Sequence, residues 1–357
     1  MISASIVGLR ALGLSCAVAR ILCGNVLGAQ SPANSHRLAL RVDTAEASAV
    51  LSMLVHRAKG EPISDSTWRA LYALAGYQRL KERELSMQRS FADSDFVSFV
   101  LSDSLGRSAA ALRRTLTKWS KIDLQSAAQR AMAYLPANAR IQATIYIVIK
   151  PKTNSFVWDV ERNPAIFLYL DPDKTSAQLA NVVAHELHHI GFASVRQASD
   201  SIRRTIPDSA RVAADWIGAF GEGFAMLAAA GGASVHPHAD SPLDDRVRWD
   251  RDLKHFNQDV GTLNAFFVDV LSHRLTSTDA IGKVAITYYG VQGPWYTVGW
   301  RMAVLVEQAS GRAELIQCMN NPLRLLQQYN AVASRYNRTH RDTVARWSDE
   351  FVNALRR

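Results

Sequence analysis

The spacing of apolar residues predicts helices through the first third of the chain. In residues 43–58, apolar side chains recur every three or four positions behind Asp43 and Thr44, both of which can cap a helix. Comparable spacing continues as far as residue 135. We therefore expect residues 30–135 to form a helical N-terminal region.

The pattern changes after Pro136. Residues 141–151 are rich in β-branched and aromatic side chains that partly alternate with polar ones, and residues 163–173 repeat this texture between Pro164 and Pro172. Such runs are typical of strands. The sequence therefore predicts two strands in succession.

A helix is predicted directly after these strands, over residues 176–190. Thr175 and Gln178 form a capping-box pattern, and Gly191 stands where a helix is expected to end. Helices are also predicted near residues 215–232, 242–275 and 293–312.

Together these patterns favour a helix-rich α+β fold. We expect the helical region 30–135 to be followed by a second region, residues 136–357, with a small sheet beside the 176–190 helix. The two regions are expected to form one compact unit, because the sequence contains no long flexible linker between them.

The first 29 residues have the composition of an export signal. Arg10 and Arg20 are their only charged side chains, the rest are mostly small or apolar, and the segment ends in Gly28-Ala29. A mature apolar helix is the alternative, since Arg20 interrupts the apolar stretch. The prediction is an exported protein, periplasmic or secreted, with cleavage after Ala29 or Ala19.

Composition and charge narrow the classes of protein further. The 357 residues are 48% apolar, which is enough for a sizeable core, and after the N-terminus no apolar run is long enough to span a membrane. The formal net charge is +9, but the longest basic clusters are pairs such as Arg113-Arg114. A nucleic-acid surface needs a contiguous basic stripe, so we expect no nucleic-acid partner and no stable membrane span in the mature chain.

The residues with the clearest chemistry are His185-Glu186-Leu187-His188-His189. On a helix, His185 and His189 lie one turn apart on one face, where two neutral imidazoles can bind one Zn²⁺. Glu186 would lie beside the open position of the metal and could take a proton from bound water, whose pKa zinc lowers toward about 7. Apolar residues surround the cluster, so a solvated helix face does not explain it.

A catalytic zinc needs a third protein ligand. The metzincin pattern is excluded, because Phe192 and Val195 occupy its Gly and His positions. Glu222, flanked by glycines in an apolar segment, is our preferred third ligand. His188 is more plausible as a residue behind the ligands or on the surface. The other candidate ligands are Asp200, Asp215, His236 and His238.

The two motifs HELHHIG and EGFA resemble those of the gluzincin zinc metallopeptidases. The chain is more closely similar to a bacterial family of unknown function described as zinc-dependent peptidases, with further likeness in residues 149–157, 166–172 and 293–303. The resemblance implies a zincin-like catalytic region with one Zn²⁺ per chain. It also implies that His185, His189 and Glu222 are the ligands, with Glu186 as general base and later proton donor. Met226 stands where some gluzincins have an Asp.

The gluzincin resemblance also implies a Tyr or His that donates to the substrate oxyanion. The candidates are Tyr288, Tyr289 and Tyr296, and Tyr296 is preferred because it lies at the start of a predicted helix. Asn154 follows a strand and could contact substrate backbone, although a turn residue is the simpler interpretation.

Three functions are compatible with these residues. The first is a zinc metallopeptidase whose substrate is a peptide or protein, bound in extended form along a strand beside the metal helix. The second is hydrolysis of a non-peptide amide or ester. The third is a non-catalytic binding protein whose structural zinc would be closed by His236 or His238, but such a site has no use for Glu186.

Overall fold

The computed structural model of the protein describes residues 37–195 and 201–356. The expected signal segment, residues 1–29, and the candidate ligand Asp200 lie outside the described residues. The first part contains a strand, β1 (Leu38–Asp43), and six helices: α1 (Ala45–Ala58), α2 (Asp65–Tyr72), α3 (Ala75–Ser86), α4 (Asp93–Val100), α5 (Asp103–Trp119) and α6 (Leu124–Met132).

The rest of the sheet and the metal-candidate helix follow as β2 (Ile141–Val148), β3 (Phe156–Trp158), β4 (Ala165–Tyr169) and α7 (Ser176–Ala193). After these come α8 (Asp208–Ile217), a short 3-10 turn, α9 (Gly221–Ala230), α10 (Leu243–Leu253), α11 (Phe256–Leu271) and α12 (Thr278–Thr287). The chain continues through α13 (Pro294–Ser310), α14 (Arg312–Met319), α15 (Pro322–Thr339) and α16 (Asp349–Ala354). The prediction of a helix-rich α+β fold with a small sheet is confirmed.

The four described strands form one mixed sheet in the order β1-β2-β4-β3. β1 and β4 both run parallel to β2, with Leu38 opposite Ile141 and Thr144 opposite Ala165. β3 runs antiparallel to β4 and forms one edge of the described sheet, and β1 forms the other. The two strands predicted from sequence are β2 and β4, and β1 and β3 were not predicted.

Strand β1 is an element of the region 30–135 that the sequence did not predict, and it precedes the helices expected from residue 43 onward. Its first four side chains alternate between half-buried and exposed positions, with Leu38 and Leu40 packed against the core. Six residues give too short a pattern to recognise alone, and pairing with β2 decides the conformation. The sheet therefore takes strands from both sides of residue 136.

Helices cover both faces of the sheet. Ile145 and Ile147 of β2 face the core that contains α7, whereas Tyr146 and Val148 point to the opposite face and pack with Leu80 of α3. Because successive strand residues alternate between faces, a strand segment with both faces buried is continuously apolar, as residues 145–148 of β2 are. The sheet is therefore a central layer, with α7 on one side of it.

Helix α7 begins where the sequence predicts and ends later. The capping box is present, with the Thr175 hydroxyl accepting from the Gln178 amide and the Gln178 side chain accepting from the Thr175 amide. Gly191 does not end the helix, which corrects the predicted C-terminus. A Cβ at Gly191 would overlap Leu135 and would lie 3.1 Å from Ile141, so this glycine allows α7 to approach β2 and the end of the preceding helical region.

Glycine also lets α9 pack closely on α13. A Cβ at Gly223 would overlap the backbone of Gly299 and Trp300, and a Cβ at Gly299 would lie 2.6 Å from the Phe220 carbonyl oxygen. Helix α9 ends at Gly231, whose left-handed backbone (φ 91°) provides the predicted C-terminal stop.

The stretch Asp208–Ala230, which contains α8 and α9, is the one described segment long and apolar enough to cross a membrane by length and composition. Inside this fold, 67% of its most apolar window is buried. Packing in the core is therefore sufficient to account for its apolar character.

A buried carboxyl group joins α1 to the sheet. Glu46 is 1% exposed, and its Oε2 accepts a 2.8 Å hydrogen bond from the Ile149 amide at the end of β2. Burial raises the pKa of Glu46 to about 8, although the Ile149 amide and the charge of Lys150 act in the opposite direction. The group therefore keeps its proton in the folded protein at neutral pH.

Glu46→Gln should change how stability depends on pH. Between pH 5 and 7 the unfolded chain has lost the Glu46 proton that the folded chain retains, so this group makes wild-type stability fall as pH rises, by at most about 1.4 kcal/mol per pH unit. Urea unfolding at pH 5 and pH 7 should show a smaller fall for Glu46→Gln than for wild type. Glu82→Gln, an exposed change on α3, is the control. Equal falls in all three proteins would contradict the prediction.

Gly223→Ala should destabilise the protein by more than about 2 kcal/mol, because the new methyl group overlaps the backbone of α13. Gly221→Ala in the same helix is the matched control: its Cβ meets nothing within 4 Å, so it should be nearly neutral. Urea unfolding measures both. Similar stability of the two variants would show that the close helix contact is not required.

Candidate metal centre

Helix α7 places the His185-Glu186-Leu187-His188-His189 motif inside the protein. His185, Glu186 and His188 are buried, and His189 is the most exposed of the four polar residues, with a tenth of its side chain accessible. The Nε2 atoms of His185 and His189 lie 3.0 Å apart. The expected arrangement of two imidazoles on one helix face is therefore present.

Glu222 reaches this pair from the first turn of α9. Its Oε2 lies 3.2 Å from His185 Nε2 and 3.3 Å from His189 Nε2, and the residue is buried. Helix α9 packs on both α7 and α13, so the carboxylate is brought in by contacts between helices rather than by local sequence. The structure thus brings together His185, His189 and Glu222.

The three atoms fit a zinc ion in their spacing. Tetrahedral ligands at 2.0–2.1 Å from zinc lie roughly 3.3–3.4 Å from one another, close to the distances between these three atoms. Two neutral imidazoles and one carboxylate are also a donor set that zinc favours, and they are the one group of this kind among the described residues.

The two buried carboxyl groups of the centre, Glu222 and Glu186, have pKa values shifted in opposite directions. Burial opposes ionisation of Glu222, but the charge of His189 and the hydrogen bonds from His185 and His189 outweigh it and hold the pKa of Glu222 well below its usual range. Burial raises the pKa of Glu186, and His185 and His189 only partly offset this. Glu222 is thus an anionic partner for cations, whereas Glu186 has a greater tendency to bind a proton.

Two of the three candidate tyrosines lie near Glu222. The Tyr296 ring is stacked against His185, with 6.4 Å between ring centroids, and Tyr289 contacts Tyr296 edge to face. Burial, followed by the charge of Glu222, raises the pKa of both phenols. Tyr288 instead packs against Phe266 and Trp295 in the core.

The other candidate ligands are occupied elsewhere or are not described. Asp215 pairs with Arg203 at the surface, and His236 lies 3.0 Å from Asp250. His238 packs against Trp249. None of these three belongs to the group around Glu222.

Asn154 lies in the loop that leads into β3. Its Oδ1 accepts a 2.9 Å hydrogen bond from Lys150 Nζ, which also donates to the Lys152 carbonyl. The Arg83 guanidinium lies 3.7 Å from the centroid of the Phe156 ring at the start of β3. The Lys150 contacts fix Asn154 within its own loop, and the Arg83 contact joins α3 to the start of β3.

Sequence analysis did not identify a cavity beside His188 and His189. His188 was expected either behind the ligands or on the surface, and it is buried. It lines this cavity together with residues from α8, α9, α14 and α15. No local pattern links segments more than a hundred positions apart. A buried polar residue within an apolar helix was the only available signal.

The fold and the site define a helix-rich α+β protein with a candidate mononuclear metal centre of two histidines and one glutamate. The chain belongs to the family described as "Putative zinc dependent peptidase (DUF5700)", whose model matches residues 68–338, about three quarters of the chain. The match includes all of the residues placed at the centre. No match to a curated protein or to a solved structure was found.

Removing one member of the centre should remove the metal. In His185→Ala, zinc affinity should fall by more than about 100-fold, because the remaining His and Glu are too few to hold the ion tightly. Metal analysis after dialysis and competition with a chelator measure this. His236→Ala, which changes a histidine outside the centre, should retain about one zinc per chain. Wild-type zinc affinity in His185→Ala would contradict the assignment.

Proposed function

We propose that this protein is a zinc metallopeptidase of the gluzincin type, in which His185, His189 and Glu222 hold one Zn²⁺ and Glu186 is the general base. The observation that carries the proposal is the nearly equilateral triangle of His185 Nε2, His189 Nε2 and Glu222 Oε2 in a buried setting. Membership in a family described as zinc-dependent peptidases supports the same reaction class.

When bound, Zn²⁺ would act as a Lewis acid toward the scissile carbonyl and make water a usable nucleophile near neutral pH. Glu186 is suited to move the proton. Its Oε1 has no hydrogen-bond partner among the described residues, and burial raises the pKa of its carboxyl group, which favours acceptance of a proton. Glu186 would take a proton from the attacking water and deliver it to the leaving amine.

Tyr296 is proposed as the donor to the oxyanion that develops on the substrate. Its hydroxyl is buried and makes no well-formed hydrogen bond within the described structure, although it approaches Glu222. Because its pKa is raised, the phenol keeps its proton and remains available to donate. A preorganised donor of this kind stabilises charge that forms only in the transition state.

The edge strand β3 is proposed to bind the substrate backbone. Within the described sheet β3 pairs with β4 alone, and α7 lies beside it. An extended peptide could add to the free side of β3, where backbone hydrogen bonds would hold it whatever its side chains are. The loop contacts of Lys150 and Arg83 would keep this strand in place.

A purely structural zinc is less well supported by the surroundings of the centre. Such a site would need a fourth protein ligand, but His236 and His238 contact Asp250 and Trp249 instead. The proposed export of the protein would place its action outside the cytoplasm, on peptide or protein substrates.

Glu186→Gln tests the proposed role of the general base. Peptide turnover should fall by about 100- to 10,000-fold, because an amide cannot accept the proton. The variant should still bind one zinc, since Glu186 is not among the proposed ligands. Activity is measured on a mixed peptide library by mass spectrometry.

Glu82→Gln, on the surface of α3, serves as the control and should keep full turnover. Undiminished cleavage by Glu186→Gln with zinc bound would remove this residue from the mechanism. If wild type loaded with zinc cleaves esters or non-peptide amides but no peptide, the substrate class would have to be revised.

A further inference from the structure

A cavity adjoins the proposed metal centre on the side of His188. Its enclosed volume is about 40 Å³, or about 410 Å³ when the open solvent at its mouth is included, and His189, a proposed metal ligand, forms part of its wall. The enclosed part is much smaller than the roughly 300–1,000 Å³ of a pocket for a whole small molecule, so one side chain would place its polar end there and the rest of its ring in the mouth. Gly218 is exposed and lines the cavity, which therefore reaches the surface there.

The wall of this cavity is mostly apolar. Its apolar members are Phe192, Ile217, Phe224, Met319, Pro322 and Leu325. Polar side chains come from His188, His189 and Cys318. His189 faces Glu222 in the metal centre, and the Cys318 thiol lies 3.7 Å from Glu314.

His188 is the polar group left without a partner. It is 1% exposed, and neither ring nitrogen makes a well-formed hydrogen bond within the described structure. The Tyr134 backbone approaches the ring, so the protein can serve at most one of the two nitrogens. A buried polar atom without a partner is costly, which points to a ligand group that completes the site.

We propose that this cavity is a substrate subsite that selects a tyrosine side chain, with His188 hydrogen-bonded to the phenolic hydroxyl. The inference rests on the proposed function and names its substrate class: peptides with tyrosine next to the scissile bond. The ring would contact the apolar wall, and the hydroxyl would satisfy the free nitrogen of His188. A charged side chain would find no counter-charge in this wall.

Whether p-cresol or toluene binds more tightly in the cavity tests this inference. p-Cresol and toluene are the side-chain analogues of tyrosine and phenylalanine. In an apolar cavity without a partner, toluene binds more tightly, because the hydroxyl of p-cresol must leave water. With His188 as partner, p-cresol should bind about tenfold more tightly than toluene, the effect of one net hydrogen bond.

Binding is measured by NMR on the full chain loaded with zinc and carrying ¹³C-methyl methionine and ¹⁵N-histidine. Both ligands should shift the methyl signal of Met319, which lines the cavity, and not that of Met53 in α1. Only p-cresol should markedly shift the ring nitrogens of His188. Tighter binding of toluene, or no shift of Met319, would overturn the inference.

His188→Phe should remove the preference for p-cresol, and His56→Phe, an exposed change in α1, should preserve it. If His188→Phe does not fold, the wild-type affinity ratio and the His188 shifts decide the question alone. A preference that survives in folded His188→Phe would overturn the assignment of the hydrogen bond.

Peptides that differ only in Tyr or Phe separate this inference from the proposed function. The Tyr peptide should be cleaved with about tenfold higher kcat/KM, and His188→Phe should abolish the difference. Cleavage without any Tyr preference would refute the subsite and leave the peptidase intact. Selective p-cresol binding without any peptide cleavage would refute the peptidase and leave a phenol-binding cavity.

Discussion

The contact of the Glu222 carboxylate with two imidazoles inside the core is the interaction on which the rest of the centre depends. A buried carboxylate without a positive partner costs several kcal/mol, so α9 is stable in this position only if His185 and His189, or a cation that they share, compensate the charge. Close packing supplies the geometry, because Gly223 permits α9 to lie against α13 with the carboxylate directed at α7. The packing of the helices therefore positions the site, and the charge compensation at the site in turn stabilises the packing.

The parts of the site that could be predicted from sequence are those fixed by the helix itself. His185 and His189 lie on one face because a helix repeats every 3.6 residues, and the capping box of α7 placed them within a helix with little ambiguity. Glu222 is 33 positions further along and no periodicity relates it to the pair. It could be selected only because it is an acid among glycines in an apolar segment. That argument rests on the free-energy cost of burying an unpaired carboxylate and does not show that Glu222 lies near the two histidines.

The misplaced end of α7 and the unpredicted strand β1 both depend on contacts between distant segments. Gly191 has the identity of a helix terminator but lies within α7, where the space it leaves is taken by Leu135 and Ile141. The β1 strand depends on β2, which lies about a hundred residues later. In both cases local preference was weak and tertiary packing decided the outcome, so residue types alone could not have given the answer.

The order of residues along α7 gives the centre two different sides. Successive residues turn by about 100°, so Glu186 and His188 flank the stripe of His185 and His189 by roughly 80° on each side. A general base and a side-chain subsite on opposite sides of a metal would fix the direction in which a peptide crosses it. Five consecutive residues of one helix would then set the metal position, the proton path and the substrate orientation together. The proposed subsite would also account for the burial of His188 beside the proposed metal ligands, a group to which His188 does not belong.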